Sequence, residues 1–123
     1  MRFAVLFSLC LFSLSGCSEK SSSYYWEHPQ QLRDALTACQ NQHANPNCEK
    51  LYQIGYSMNV LALELQSNPQ RFGSTLMKLQ MELAEKKQAQ APSKQSTHSL
   101  LEPIEQEIQQ RLAVIKWLES PEK

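Results

Sequence analysis

The chain has 123 residues, with 12 lysine and arginine side chains against 12 aspartate and glutamate. That length builds one small domain, not two. The charge balance excludes the net field that would recruit nucleic acid or an anionic surface, and with only three glycines the composition is that of a helical chain.

Arg2 precedes an apolar run from Phe3 to about Leu14. This is the layout of an export signal, and it is short for a stable membrane span. Leu14-Ser15-Gly16-Cys17 follows directly and resembles a bacterial lipobox. The resemblance implies cleavage after Gly16, a diacylglyceryl group on the Cys17 thiol and acylation of the new amine. Residues 1–16 are therefore read as a lipoprotein signal peptide. The bilayer becomes a partner through the Cys17 acyl chains, at about 0.8 kcal/mol per buried methylene. Ser18 stands where Asp would signal retention, so by resemblance to Gram-negative sorting rules the outer membrane is favoured over the inner. The expected location is the bacterial cell envelope, lipid-anchored and facing the periplasm.

Residues 17–23 read as a polar, lipidated tether. Tyr24-Tyr25-Trp26 then places three aromatics in a row, suited either to a partner or membrane contact or to capping a small core. Pro29 fits the first position of a helix, where no amide hydrogen is needed, with His28 beside the cap. Leu32, Ala35, Leu36 and Cys39 share one face of that helix.

Cys39 and Cys48 are the pair left once Cys10 goes with the signal and Cys17 carries lipid. In an oxidising compartment they are expected to form a disulfide across the Asn45-Pro46-Asn47 turn. Closing that loop is worth about 2–3 kcal/mol on the loop-entropy estimate. A metal site built on Cys39, His43 and Cys48 lacks a fourth local ligand and a familiar spacing. A redox site would show CxxC at a helix start, and none is present.

A second helix is predicted from Asn47 or Cys48 to about Gln66. Leu51, Gly55, Met58, Ala62 and Leu65 form its stripe, broadened by Ile54 and Leu61, so it is the central helix. Gly55 interrupts it at up to about 1 kcal/mol, which close helix packing or a partner contact would explain. Asn68-Pro69 starts a third helix carrying Phe72, Leu76, Leu79 and Leu83. The strip of Met77, Met81 and Ala84 is expected in the core, although methionines also make adaptable binding surfaces. Residues 24–90 thus form the helical domain and 91–99 a linker. Over 100–119 an amphipathic helix carries the seam Leu101, Ile104, Ile108, Leu112, Ile115 and Leu118. It either completes the bundle or pairs weakly with a second copy as a short coiled coil.

No Ser-His-acid arrangement, phosphate-cradling glycine loop or His-Glu-x-x-His pattern occurs. The expectation is a protein that is not an enzyme, with no catalytic residue, metal or cofactor. The expected fold is all-α: a small bundle of three to four short helices with one disulfide, on a lipidated N-terminal tether.

Together, the lipobox, Tyr24-Tyr25-Trp26-Glu27-His28-Pro29, Leu32, Leu36, Cys39 and Asn45-Pro46-Asn47-Cys48 resemble the small entry-exclusion lipoproteins of conjugative elements and type IV secretion loci. Those proteins show a lipobox, an aromatic residue before an Asn-Pro or His-Pro helix start, and two cysteines around an Asn- or Pro-rich loop. The resemblance covers about residues 14–50. His28 stands where Asn is commoner, and the chain beyond Lys50 has no counterpart. It implies an envelope lipoprotein that limits redundant conjugative transfer by contacting a component of an incoming type IV mating apparatus. The candidate partner-binding residues are Tyr24, Tyr25, Trp26, His28 and Trp117, with His43 and Asn45 behind them. The alternative is a structural or assembly lipoprotein of a type IV or related envelope secretion machine, with the 100–119 helix inserted beside a partner helix.

Overall fold

The structure, a computed structural model, describes residues 20–41, 47–89 and 98–120. The signal peptide, Cys17, Ser18, His43 and Asn45 lie outside the described residues, as does most of the expected linker. The described residues are all-α and contain five helices in place of the expected three or four: α1 Ser22–Glu27, α2 Pro29–Asn41, α3 Cys48–Ser67, α4 Pro69–Ala89 and α5 His98–Glu119.

The additional helix is α1, which takes up Ser22 and Ser23 from the expected tether. Ser21 caps it, its hydroxyl oxygen accepting from the Tyr24 amide at 3.4 Å. Six residues are too few to hold a helix alone, and burial of Trp26 in the core supplies what local propensity lacks. His28 ends α1 and leads into α2: its amide donates to the Tyr24 carbonyl, and its carbonyl accepts from Leu32 of α2 at 3.1 Å. Pro29 opens α2 and Pro69 opens α4, as their fixed φ favours. At the second of these, Asn68 Oδ1 accepts from the Arg71 amide at 3.0 Å, satisfying an otherwise orphaned helix donor.

α3 is central, packing against each of the other four helices. Its Leu51, Ile54, Met58 and Ala62 meet Trp26, Leu32, Cys39 and Val114 in one core. α2 comes close enough that a Cβ on Gly55 would sit 3.3 Å from Leu36 Cδ1. Helix packing therefore accounts for this glycine. Cys39 and Cys48 are disulfide-bonded with Cα atoms 5.7 Å apart, inside the range such bonds require, tying the end of α2 to the start of α3. Both sulfurs are thereby used, and neither is available as a thiolate ligand.

α5 belongs to the same bundle, not to a separate segment. Ile108 and Val114 are buried, Leu118 packs against the core, and α5 contacts α1, α3 and α4. Of the predicted seam, Ile108 is buried, Leu101, Ile104, Ile115 and Leu118 are half-buried and Leu112 is exposed, while the buried face also takes in Val114 and Arg111, which the seam did not include. Arg111 is buried at the α3–α5 junction. Its Nε donates to Glu107 at 3.2 Å, its Nη1 lies 3.5 Å from Glu64 of α3, and its guanidinium covers the Phe72 ring of α4 at 4.8 Å. Burial of a charge is tolerable because two carboxylates and a ring face receive it. At the surface, Lys87 pairs with Glu105 at 2.7 Å and joins α4 to α5.

The methionine strip does not enter the core. Met77 and Met81 are 64% and 61% exposed. At about 100° per residue, they lie on the far side of α4 from Phe72, Leu76, Leu79 and Leu83. That helix packs on α3 and α5 with one face only, so its second apolar strip has nothing to bury against. Among the described residues no helix is long and apolar enough to cross a membrane.

Candidate functional site

The N-terminal aromatics divide between two environments. Trp26 is 6% exposed and belongs to the core cluster: of the candidate contact residues it is the buried one, holding α1 on the bundle and bordering the hollow between α1 and α5. About one turn of helix geometry explains the division. Tyr24 of α1 and His28 at its C-cap, four residues apart, lie on a side that points away from the one Trp26 buries.

Tyr24 and His28 form a compact cluster. Their rings stack with centroids 4.3 Å apart and planes 14° from parallel. Tyr25 meets Tyr24 edge-on at 5.6 Å. Lys20 Nζ lies 4.7 Å from the centre of the Tyr24 ring and 3.5 Å from its hydroxyl oxygen, a cation over a π face. His28 Nδ1 is 3.0 Å from the Tyr24 carbonyl oxygen. A carbonyl only accepts, so this contact selects the Nδ1–H tautomer. It leaves Nε2 as an acceptor in the neutral ring. Tyr24, Tyr25 and His28 are all half-buried, held by the fold yet reachable from outside.

Tyr25 continues the cluster into an open hollow of about 430 Å³ between α1, α2 and α3. Ala35, Ala38, Leu51 and Ile54 give it an apolar lining, while Lys20, Asp34 and Lys50 bring charge. The arrangement offers a stacked aromatic pair, an imidazole acceptor, a cation and a small apolar recess on one side of the molecule. Aromatic rings with a few fixed polar groups are the kind of side chain enriched where protein surfaces meet. Trp117, at the other end of the chain, is half-buried and packed against the core; no ring contact joins it to the α1 cluster.

A second surface was not singled out in the sequence. Tyr52, Tyr56, Val60 and Leu63 run along α3 and are 47%, 72%, 45% and 66% exposed. They lie on the face opposite Leu51, Ile54, Met58 and Ala62, so α3 is apolar on both sides. The available signal was the absence of any charged residue from Leu51 to Leu63. No protein-family model, curated protein or solved structure matches the chain.

Proposed function

We propose that the chain is an envelope lipoprotein, anchored through Cys17, that acts by contact and not by catalysis. It limits redundant conjugative transfer by engaging a component of an incoming type IV mating apparatus. The observation that carries this reading is the combination, within residues 14–50, of the lipobox, the aromatic-His-Pro helix start and the paired cysteines. The disulfide between Cys39 and Cys48 supports it by tying the end of α2, the helix that starts directly after His28, to the start of α3. Acyl chains at Cys17 would hold this end of the domain close to the bilayer, a short polar segment away from Lys20. By the same sorting argument the anchor lies in the outer membrane.

The experiment is conjugation of the encoding element into matched recipients with and without the protein. A drop of tenfold or more for that element, and none for unrelated elements, is the expected result. Unchanged transfer, with expression and lipidation verified, would overturn the reading. A Cys17→Ala variant at matched protein level is expected to lose the effect through loss of placement.

The structural alternative, an assembly lipoprotein of a secretion machine, draws its support from the bare apolar face of α3 and not from α5, whose seam is largely spent on the bundle. Stable co-purification of the chain with a secretion complex would favour it.

A further inference from the structure

The outward face of α3 is the largest apolar feature that the proposed contact leaves unused. Tyr52, Tyr56, Val60 and Leu63 stand at helical spacing along one line and cover three turns. Contiguous exposed apolar surface of this kind marks an interaction site more often than chance scatter does. The stripe is charged only at its ends. Glu49 falls on the same line one turn before Tyr52. Ser67 falls on it beyond Leu63, where Arg71 of α4 shares a hollow with Val60, Leu63, Ser67 and the mutually paired Glu64 and Arg111, leaving Arg71 as its unpaired charge. Neither Glu49 nor Arg71 has an ion-pair partner among the described residues.

An acid at one end and a base at the other make the stripe complementary to itself when reversed. We propose that this face binds a second copy of the chain, with the two α3 helices antiparallel across a two-fold axis. Tyr56 of each copy then opposes Val60 of the other. At a rise of 1.5 Å per residue, Glu49 lies about 10.5 Å from Tyr56, and Ser67 lies the same distance from Val60 on the other side. The register that joins the apolar centres therefore brings Glu49 of one copy to the Ser67–Arg71 end of its mate. That happens twice, as two-fold symmetry requires. Beside the stripe, Tyr56 and Val60 border a hollow of about 450 Å³ that reaches Pro103, Gln106 and Glu107 of α5, which gives the ridge of the second copy a groove to enter.

The four apolar side chains expose on the order of 400 Å², about half of what one partner contributes to a standard stable interface. The dimer is accordingly weak in free solution. Anchoring through Cys17, as proposed above, would raise its occupancy by raising local concentration. This pairing is distinct from the coiled coil expected through 100–119. It also stands apart from the exclusion reading: it uses no residue of the Tyr24–His28 cluster.

The test is sedimentation equilibrium of the full chain in mild non-ionic detergent, over a hundredfold range of protein concentration. A reversible monomer–dimer equilibrium is expected. Tyr56→Glu should weaken it at least tenfold without changing helicity or melting temperature, because Tyr56 makes no core contact. Glu49→Arg should weaken it, and adding Arg71→Glu to the same chain should restore it. A chain that stays monomeric throughout, or a dimer indifferent to Tyr56→Glu, would overturn the proposal. Failure of the second charge change to rescue the first would overturn the antiparallel register. A monomer whose Tyr56→Glu variant loses a different envelope protein from its complexes would give the stripe to that partner and overturn self-association.

Discussion

The chain presents two aromatic surfaces built on different principles. The α1 surface is small and internally organised: Tyr24 stacks on His28, Lys20 sits over Tyr24, and the imidazole is oriented by a backbone carbonyl. The α3 surface is long and bare: its tyrosines make no ring contacts, and its charges stand only at the ends. An organised polar-aromatic cluster selects a partner by geometry, because its donors and acceptors already point in fixed directions. A bare stripe selects by length, shape and end charges. The contrast separates the surface we propose recognises something foreign from the one we propose meets its own copy.

The sharpest way to break that contrast is to remove the support both surfaces share. Trp26→Ala empties a core position between Tyr25 and Glu27 and should cost about 3–5 kcal/mol, read as a loss of stability in urea unfolding. Tyr24→Ala, two residues away on the outward face, should cost less than about 1 kcal/mol. Equal costs would mean that α1 does not divide its aromatics as described. The disulfide is a second support. Replacing Cys39 and Cys48 together with Ser should lower stability by about 2–3 kcal/mol, with helix content retained below the melting transition. Chemical reduction of the parent should reproduce the shift.

Within α3, Met58→Ala should cost about 2–5 kcal/mol. Tyr56→Ala, on the opposite face, should leave the monomer within about 0.5 kcal/mol of the parent while weakening self-association. The smallest effect is expected on α4. Lys86 donates to Glu82 at 2.9 Å and holds its carboxyl below the usual carboxylate range. A lowered folded-state value means that the pair's contribution is present above the ordinary glutamate range and is lost as pH falls through the depressed one. The pair is open to solvent and screened, so Glu82→Gln should leave the melting temperature at pH 7 unchanged.

Much of the architecture was legible because local chemistry and burial agree. Pro29 and Asn68-Pro69 mark helix starts that depend on a missing amide and a side-chain cap. Leu51, Ile54, Met58 and Ala62 mark a buried face by spacing, and the Cys39–Cys48 pairing follows from parity and an expected oxidising compartment. Three features were not legible, each for a tertiary reason. Six residues carry too little periodicity to announce α1, which exists because Trp26 finds a core. Met77 and Met81 satisfy a helical pattern, yet only a neighbour on that side of α4 could bury them. The back of α3 was passed over because the spacing that picks out the buried stripe leaves Tyr52, Tyr56, Val60 and Leu63 off it, and only the absence of a neighbour on that side shows that they stay bare. Arg111 is the converse case, a charge on a predicted amphipathic helix that is buried only because Glu64 and Phe72 arrive from elsewhere in the chain.

The measurement closest to the central claim is conjugation frequency into recipients carrying the Tyr24→Ala, His28→Ala double variant, beside recipients with the parent chain and with Tyr56→Glu. All three chains must be matched for level, lipidation and melting temperature. The account predicts that the double variant admits the element at least tenfold more often than the parent, while remaining able to dimerise. Full exclusion by a folded, anchored double variant would contradict it, since the contact would then lie somewhere other than the Tyr24–His28 cluster.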